Sequence, residues 1–406
     1  MKSAALFLFA LMLACTSRAQ QNSQLRGLVN EEANVIENGQ HLDDFFELLK
    51  QQEKDGGKVI SIIHLGDSHI QADYLTAPVR RAFQNRFGNA GRGLVVPGRV
   101  AGTNEPANFR SSSEVKWLAK RIIYPDQPLP IGIGGITVQS SLPNARLSVV
   151  MQDATMDYSF NTVKLFFQKD VHSCNYAVLD SAGAVLTMIH RDSAPAFEHY
   201  AVAKLDAQQS QLRLQSIHDD SSAHHATIFG FSLENERPGI LYHAIGVNGA
   251  KYSHYNTASQ FPRQTGLLKP DLFIISLGTN ESLEYPYTDA RLHTHIDKLI
   301  TSLRAYNPLA KFILVTPPDA FRRKIKPNPG IARVRKIILD YAVENGLAFY
   351  DMYKALGGSG SALKWKNAGL LRADGIHFTK DGYAFQGDLL FAAFMKSYQT
   401  YVDSRL

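Results

Sequence analysis

Ser68 stands in the run Gly66-Asp67-Ser68-His69, directly behind the apolar stretch 59–65. That stretch reads as a buried parallel strand, which would present the serine where a strand hands over to a helix. In open α/β sheets this is the crevice where ligands bind. A serine hydroxyl is a weak nucleophile on its own; it needs a base to take its proton and donors to hold an oxyanion. Three later runs carry the required residue types: Gly246-Val247-Asn248-Gly249-Ala250, Gly278-Thr279-Asn280-Glu281 and Asp374-Gly375-Ile376-His377. Singly, each has a plainer reading: a helix-capping serine, a turn glycine at positive φ, a turn or cap asparagine, a surface turn. Together they offer a nucleophile, a backbone donor, an amide donor and a base with its orienting carboxylate, and the first three each follow an apolar strand.

The elements that must position these residues follow from periodicity. Five short apolar segments read as buried strands: 59–65, 240–245, 272–277, 312–316 and 347–350. Leu292, Ile296, Leu299, Ile300 and Leu303 recur at helical spacing, 331–343 does the same, and a closing helix is expected over about 382–395. Strands alternating with helices predict right-handed crossovers and a mostly parallel five-stranded sheet, an α/β domain with helices on both faces. From about 105 to 235 the helical period gives way to short alternating runs. Val163, Leu165 and Phe167 share a face, and Asp180-Ser181-Ala182-Gly183 reads as a hairpin turn. This predicts an inserted β-sandwich at 105–235, with 20–104 and 236–406 forming the two parts of the α/β domain. One continuous α+β domain is the alternative.

Composition narrows the classes. The chain has 406 residues, 45% hydrophobic and 20% charged, enough for a large core. The formal charge of +6 includes Lys2 and Arg18, so loss of that N-terminal segment leaves +4. No Lys/Arg stripe accompanies it, which argues against nucleic acid as a partner. The run Arg322-Arg323-Lys324-Ile325-Lys326 reads as a solvated loop or helix start. Ala4 to Cys15 is uncharged, which fits the apolar core of a secretory signal and is too short to span a bilayer. Residues 1–19 are read as a signal peptide cleaved before Gln20, with periplasmic export; lipidation at Cys15, as an outer-membrane lipoprotein, is the alternative. No transmembrane segment follows. With only Cys15 and Cys174 present, no internal disulfide is expected in the mature chain, and Cys174 reads as a small buried hydrophobe.

Four blocks centred on Ser68, Gly249, Asn280, and Asp374 with His377 resemble those of the SGNH (GDSL-like) hydrolases. The resemblance covers about 57–103 and 238–398. It implies Ser68 as nucleophile, His377 as base, Asp374 as the carboxylate orienting the imidazole, and an oxyanion hole from the backbone of Ser68 and Gly249 with the side chain of Asn280. No cofactor and no metal are expected. His69 departs from the commoner leucine; adjacent to Ser68 on a turn into a helix, it should point away, which leaves His377 as the base. His293, His295, His224 and His225 lack the acidic or thiolate company of a metal site.

The words around the serine, Gly66-Asp67-Ser68-His69-Ile70-Gln71-Ala72-Asp73, then Thr76, Arg80 and Phe87-Gly88-Asn89-Ala90-Gly91-Arg92-Gly93, resemble the peptidoglycan O-acetylesterases of Gram-negative bacteria. That group carries a carbohydrate-binding-module-like β-sandwich between its serine and glycine blocks. Here Ser68 and Gly249 lie 181 residues apart. The resemblance implies an acetylated glycan as substrate, first of all the 6-O-acetyl group of N-acetylmuramic acid in peptidoglycan. Alternatives keep the fold and change the outcome: an esterase on another polysaccharide such as xylan, a glycan O-acetyltransferase, or an inactive glycan-binding protein. Trp117 is a candidate glycan contact, with a core role as its plainer reading. Oligomeric state is not legible.

Overall fold

The computed structural model describes residues 27–405 apart from 125, 194–198, 219–223 and 285–287. The signal-peptide and Cys15 readings lie outside the described residues. One sheet runs in the order Ile36–Glu37, Ala348–Tyr350, Lys311–Val315, Leu272–Ser276, Val59–Gly66, Gly239–Gly246. The last five strands are mutually parallel, at the places expected. The sixth, Ile36–Glu37, adds an antiparallel edge that its two residues did not announce.

Side chains alternate between the two faces of this sheet, and each face has its own helices. Ile60, Ile62, Ile240, Ile274 and Ile313 pack with Phe45, Phe46 and Leu49 of helix Asp43–Asp55, Val79 and Phe83 of Thr76–Phe87, and Leu390, Phe394 and Tyr398 of Lys380–Asp403. Ile63, Leu65, Phe273, Ile275 and Leu314 turn the other way, onto the apolar stripes of Asp289–Tyr306 and Pro329–Glu344. The closing helix runs to Asp403, longer than its periodic core.

Two antiparallel sheets make up the middle of the chain. One has the order Val185–Ile189, Asn175–Leu179, Gln211–Ile217, Arg146–Met151, Phe109–Ser112; the other Tyr200–Gln209, Phe160–Phe167, Ala226–Glu234, Ile136–Ser140, Leu118–Arg121. Their facing side chains, among them Leu147, Phe160, Val163, Leu165, Leu212, Leu214 and Phe231, form one core. Trp117 belongs to that core, 5% exposed, its indole N–H on Ser113 Oγ at 2.8 Å, in keeping with its plainer reading. Cys174 is buried. Asp180 accepts from the backbone of Ala182 and Ala184 at the expected hairpin turn. The 322–326 run forms an exposed two-strand turn with Arg323 and Lys324 at positive φ.

The sandwich sheet does not begin at residue 105. Gly91–Val95 pairs antiparallel with Ala226–Glu234, and His243 Nδ1 of the main sheet accepts from Leu94 N at 3.0 Å. The glycines at Gly91 and Gly93 let this strand pass close to Leu233 and Tyr242. The insert is also fused to the α/β layer by packing: Ile133, Ile136, Phe166 and Phe229 share a core with Val247, Tyr255 and Phe261.

Strand Gly239–Gly246 ends against the short helix Ser68–Gln71 with no room for a side chain. A Cβ on Gly246 would lie 2.3 Å from Gln71 N and 2.7 Å from Gln71 Cα. Gly246→Ala is expected to cost about 1–3 kcal/mol of stability and, by displacing the helix that begins at Ser68, to lower turnover at the site expected around Ser68 more than substrate affinity. Urea unfolding with parallel kinetics checks both; a variant as stable and as fast as the parent would refute the close approach.

Candidate active site

Ser68 opens the four-residue helix Ser68–Gln71 immediately after strand Val59–Gly66. The first N–H groups of a helix have no intrahelical acceptor, and the Asp67 carboxylate takes that of His69 at 2.9 Å. From the far end of the chain, His377 Nε2 meets Ser68 Oγ at 2.8 Å, and His377 Nδ1 meets Asp374 Oδ2 at 3.0 Å. Hydroxyl, imidazole and carboxylate therefore form one hydrogen-bonded row.

The loop bearing His377 is built to hold it. Asp374 Oδ1 accepts from the backbone of Ile376 and His377 at 2.8 and 2.9 Å, and Arg372 N donates to His377 O at 2.8 Å. Gly375, at φ 73°, packs against Phe321 where a Cβ would meet its ring carbon at 2.8 Å. Partial burial pushes Asp374 upward, but the two backbone N–H groups and the imidazole outweigh it and hold the carboxyl below its ordinary value. A carboxylate that stays ionised can fix the imidazole tautomer and stabilise the imidazolium.

Gly249 and Asn280 line the same cavity as Ser68 and His377, about 570 Å³ in volume. Gly249 sits at φ 83°, a conformation that favours glycine. Asn280 Nδ2 donates to Ala250 O at 2.9 Å and to Asp67 Oδ2 at 3.2 Å. The amide is thus tied to the glycine loop on one side and to the serine turn on the other. Of the site residues expected from the sequence, Ser68, Gly249, Asn280 and His377 border one cleft, and Asp374 joins them through the His377 ring. A larger cleft of about 820 Å³, beside Asp44, Asp271 and Lys311 at the opposite ends of the strands, is lined by no Ser, Thr or Cys.

Three features had no assigned role in the sequence. Gln71 is buried; its Oε1 accepts from Asn248 N at 2.5 Å, and its Nε2 donates to Thr103 Oγ1 and Asn104 O at 2.8 and 2.9 Å. One side chain therefore links the nucleophile helix, the glycine loop and the start of the insert. Asn104, Glu105, Tyr74, Arg372 and Tyr383 contribute to the cavity wall. Asp73, Thr76, Arg80 and Arg92, which carry part of the family resemblance, form a buried scaffold. Arg80 grips Asp73 at 2.7 and 2.8 Å, and Arg92 reaches it at 3.2 Å. Burial opposes ionisation of Asp73, yet the two guanidiniums hold its carboxyl below the ordinary value.

Behind Asn280 lie two buried acids. Burial raises Asp67 to about 7, opposed by the His69 N–H and reinforced by Glu281. Burial likewise raises Glu281 to about 7, although Tyr252 N donates to its Oε1 at 2.8 Å.

Residues 217–385 match the model of the GDSL-like Lipase/Acylhydrolase family. The span contains Gly249, Asn280, Asp374 and His377; Ser68 lies outside it, separated by the insert. No curated protein matches the sequence. Among solved structures, "Peptidoglycan O-acetylesterase in action, 5 min" superposes with a TM-score of 0.75 at 20% identity, covering 88% of this chain and 96% of that one. The lipase/acylhydrolase from Enterococcus faecalis aligns at 23% identity with a TM-score of 0.31, over 38% of this chain and 75% of that one. A catalytic mutant of an acetylxylan esterase from Geobacillus stearothermophilus gives 18% identity and a TM-score of 0.29, over 39% and 73%. The fold is that of the SGNH hydrolases with an added β-domain. Residues 217–385 thus resemble a GDSL-like acylhydrolase, a match that supports esterase chemistry.

The raised Glu281 carboxyl has a consequence for stability. Its folded value of about 7 exceeds the ordinary 4.5, so its contribution is full below about 4.5 and is lost as pH climbs through 7. Glu281→Gln, which keeps the neutral shape, should melt near the parent at pH 5 and a few degrees above it at pH 8. A parent–variant gap that stays flat across that range would contradict the buried, raised acid.

Proposed function

We propose that this chain is a serine O-acetylesterase of a cell-envelope glycan, with the 6-O-acetyl group of N-acetylmuramic acid in peptidoglycan as its substrate. The observation that carries the chemistry is the row Ser68 Oγ–His377 Nε2 at 2.8 Å and His377 Nδ1–Asp374 Oδ2 at 3.0 Å at the edge of an open cavity. The choice of glycan is supported by a fold likeness that runs through the insert as well as the α/β layer. The cleft agrees with it, being broad enough for a sugar, with polar side chains of Asn104 and Glu105 at the start of the insert forming part of its rim. Residues 1–19 act in this reading as an export signal that delivers the enzyme to the periplasm, and the β-sandwich serves as a carbohydrate-binding module.

In the reaction, Ser68 Oγ bonds to the acetyl carbonyl carbon as its proton passes to His377 Nε2. The carbonyl oxygen becomes an oxyanion held by the N–H groups of Ser68 and Gly249 and the amide of Asn280. Collapse breaks the bond to the sugar oxygen, which takes the proton from His377 and leaves as the alcohol. Asp374 remains ionised throughout. Water then attacks the acetyl-serine, giving its proton to His377, and a second collapse breaks the bond to Ser68 Oγ, which takes that proton back as acetate leaves. Asn280 already engages its amide hydrogens with Ala250 and Asp67, so the oxyanion competes first with the longer contact, to Asp67.

Acetate release measured on O-acetylated peptidoglycan and on acetylated xylan tests the substrate. Faster release from peptidoglycan is expected, lost in Ser68→Ala; release from xylan alone would refute the assignment. On p-nitrophenyl acetate, Asn280→Ala should lower kcat about 10²–10³-fold with the fold intact. Unchanged turnover would remove Asn280 from the oxyanion hole.

A further inference from the structure

His69 is the residue of the serine block that the reaction above does not use. Its ring is stacked on that of His377, centroids 5.6 Å apart and planes 29° from parallel. It is fixed on its other sides: Tyr383 crosses it edge-on at 5.6 Å, Phe378 packs at 6.3 Å, and Tyr383 Oη lies 3.1 Å from its Nδ1. Its backbone N–H is held by Asp67. Ser68 and Asp374 bond the His377 ring through its two nitrogens and so restrain it in its own plane. His69 lies against its face.

We propose that His69 is a positioning residue whose uncharged ring backs His377 and stabilises the imidazolium formed when His377 takes the serine proton. This inference rests on the esterase reading of the site. A cation within about 6 Å of an aromatic face is attracted by the ring quadrupole, more strongly where water is excluded. Such an attraction is weak to a neutral imidazole and grows as the proton arrives, so it is made in the transition state and not on substrate binding. It requires His69 to stay uncharged. Burial does this, pushing it down to about 3 with the neighbouring His377 adding to the effect and Asp374 opposing it.

Other charged or titratable groups that face His377 among the described residues are Asp374 and Arg372 on its own loop, Tyr383 on the closing helix, and Tyr74 and Glu105 in the cavity wall. Of these, Asp374 bonds the imidazole edge; among the described residues the ring stacked on its face is that of His69. The face, and not a hydrogen bond, is what the geometry supplies. Nδ1 of His69 points to Tyr383, and Nε2 has no partner among the described residues. His69 also borders a pocket of about 20 Å³ with Thr279, Thr316 and Gln386, next to which a phenylalanine ring would replace the imidazole.

That difference between ring and side-chain bulk defines the test, on p-nitrophenyl acetate with the full chain. His69→Leu keeps an apolar filler and loses the face; kcat is expected to fall about tenfold with KM within about twofold. His69→Phe restores the face without the imidazole nitrogens, and kcat should return to within about twofold of the parent. Melting temperatures of both variants separate the effect from loss of fold. A folded His69→Leu as fast as the parent, or a folded His69→Phe as slow as His69→Leu, overturns the proposal and leaves the esterase reading standing. A parent with no Ser68-dependent turnover would overturn the reading itself, and this inference with it.

Discussion

The site depends on how closely backbones approach at one place, the turn Gly66-Asp67-Ser68 and the short helix that follows. Neither Gly66 nor Gly246 could carry a side chain there: a Cβ on Gly66 would lie 2.3 Å from Ile70 Cγ1 and 2.8 Å from Ser276 O, and one on Gly246 would strike Gln71. The ends of three adjacent parallel strands, Leu272–Ser276, Val59–Gly66 and Gly239–Gly246, are thereby drawn under one helical turn. Serine, glycine loop and asparagine helix each leave from one of these ends. Their hydrogen bonds, Gln71 to Asn248 and Asn280 to Asp67 and Ala250, lock together groups that the strands have already brought near.

That arrangement has to survive a long interruption between the serine and glycine blocks. It does so because the chain leaves and re-enters at nearly one point. Asn89 bridges to Ile240, Ile240 N donates to Gly88 O, and Asn235 N donates to Ala90 O. A Cβ on Gly239 would lie 2.2 Å from the Gly88 carbonyl carbon, so the two crossing segments touch backbone to backbone. Closing a loop costs free energy that grows only slowly with its length, and an insert with a core of its own adds little strain to the layer that hosts it. The buried Asp73–Arg80–Arg92 cluster then ties helix Thr76–Phe87 to the strand that enters the sandwich. Its members were visible in the sequence as family words, though what they supply is attachment and not catalysis.

Much of this was legible before any coordinate. The five parallel strands were continuous apolar runs because both faces of the sheet are covered, and the helices declared themselves through Leu292–Leu303 and 331–343. Ser68, Gly249, Asn280, Asp374 and His377 were readable as candidates because the proposed chemistry restricts the residue type at each position. What escaped had no local signal. Ile36–Glu37 pairs with Phe349 and Tyr350, near the other end of the chain, and is too short to show a period. Gly91–Val95 contains two glycines, so its pairing with Ala226–Glu234 is a tertiary decision against local propensity. Gln71 and Tyr383 are ordinary amphipathic side chains until folding sets them against the glycine loop and His69.

The buried acids next to Asn280 show why such a site tolerates polar groups where a core would not. Asp67 is almost wholly shielded from solvent, which disfavours its ionised form, yet it receives the His69 N–H and an Asn280 hydrogen, which favour it. The balance leaves it raised to about 7, with Glu281 close enough to raise it further. A group so poised is a compliant acceptor: it orients the Asn280 amide in the resting enzyme without holding it as firmly as a fully charged partner would. In the proposed reaction, the oxyanion competes with that acceptor for the Asn280 hydrogen. Preorganised donors lower a barrier when they are fixed in advance, and Asn280 Nδ2 is fixed by Ala250 O at 2.9 Å and by Asp67 Oδ2 at 3.2 Å.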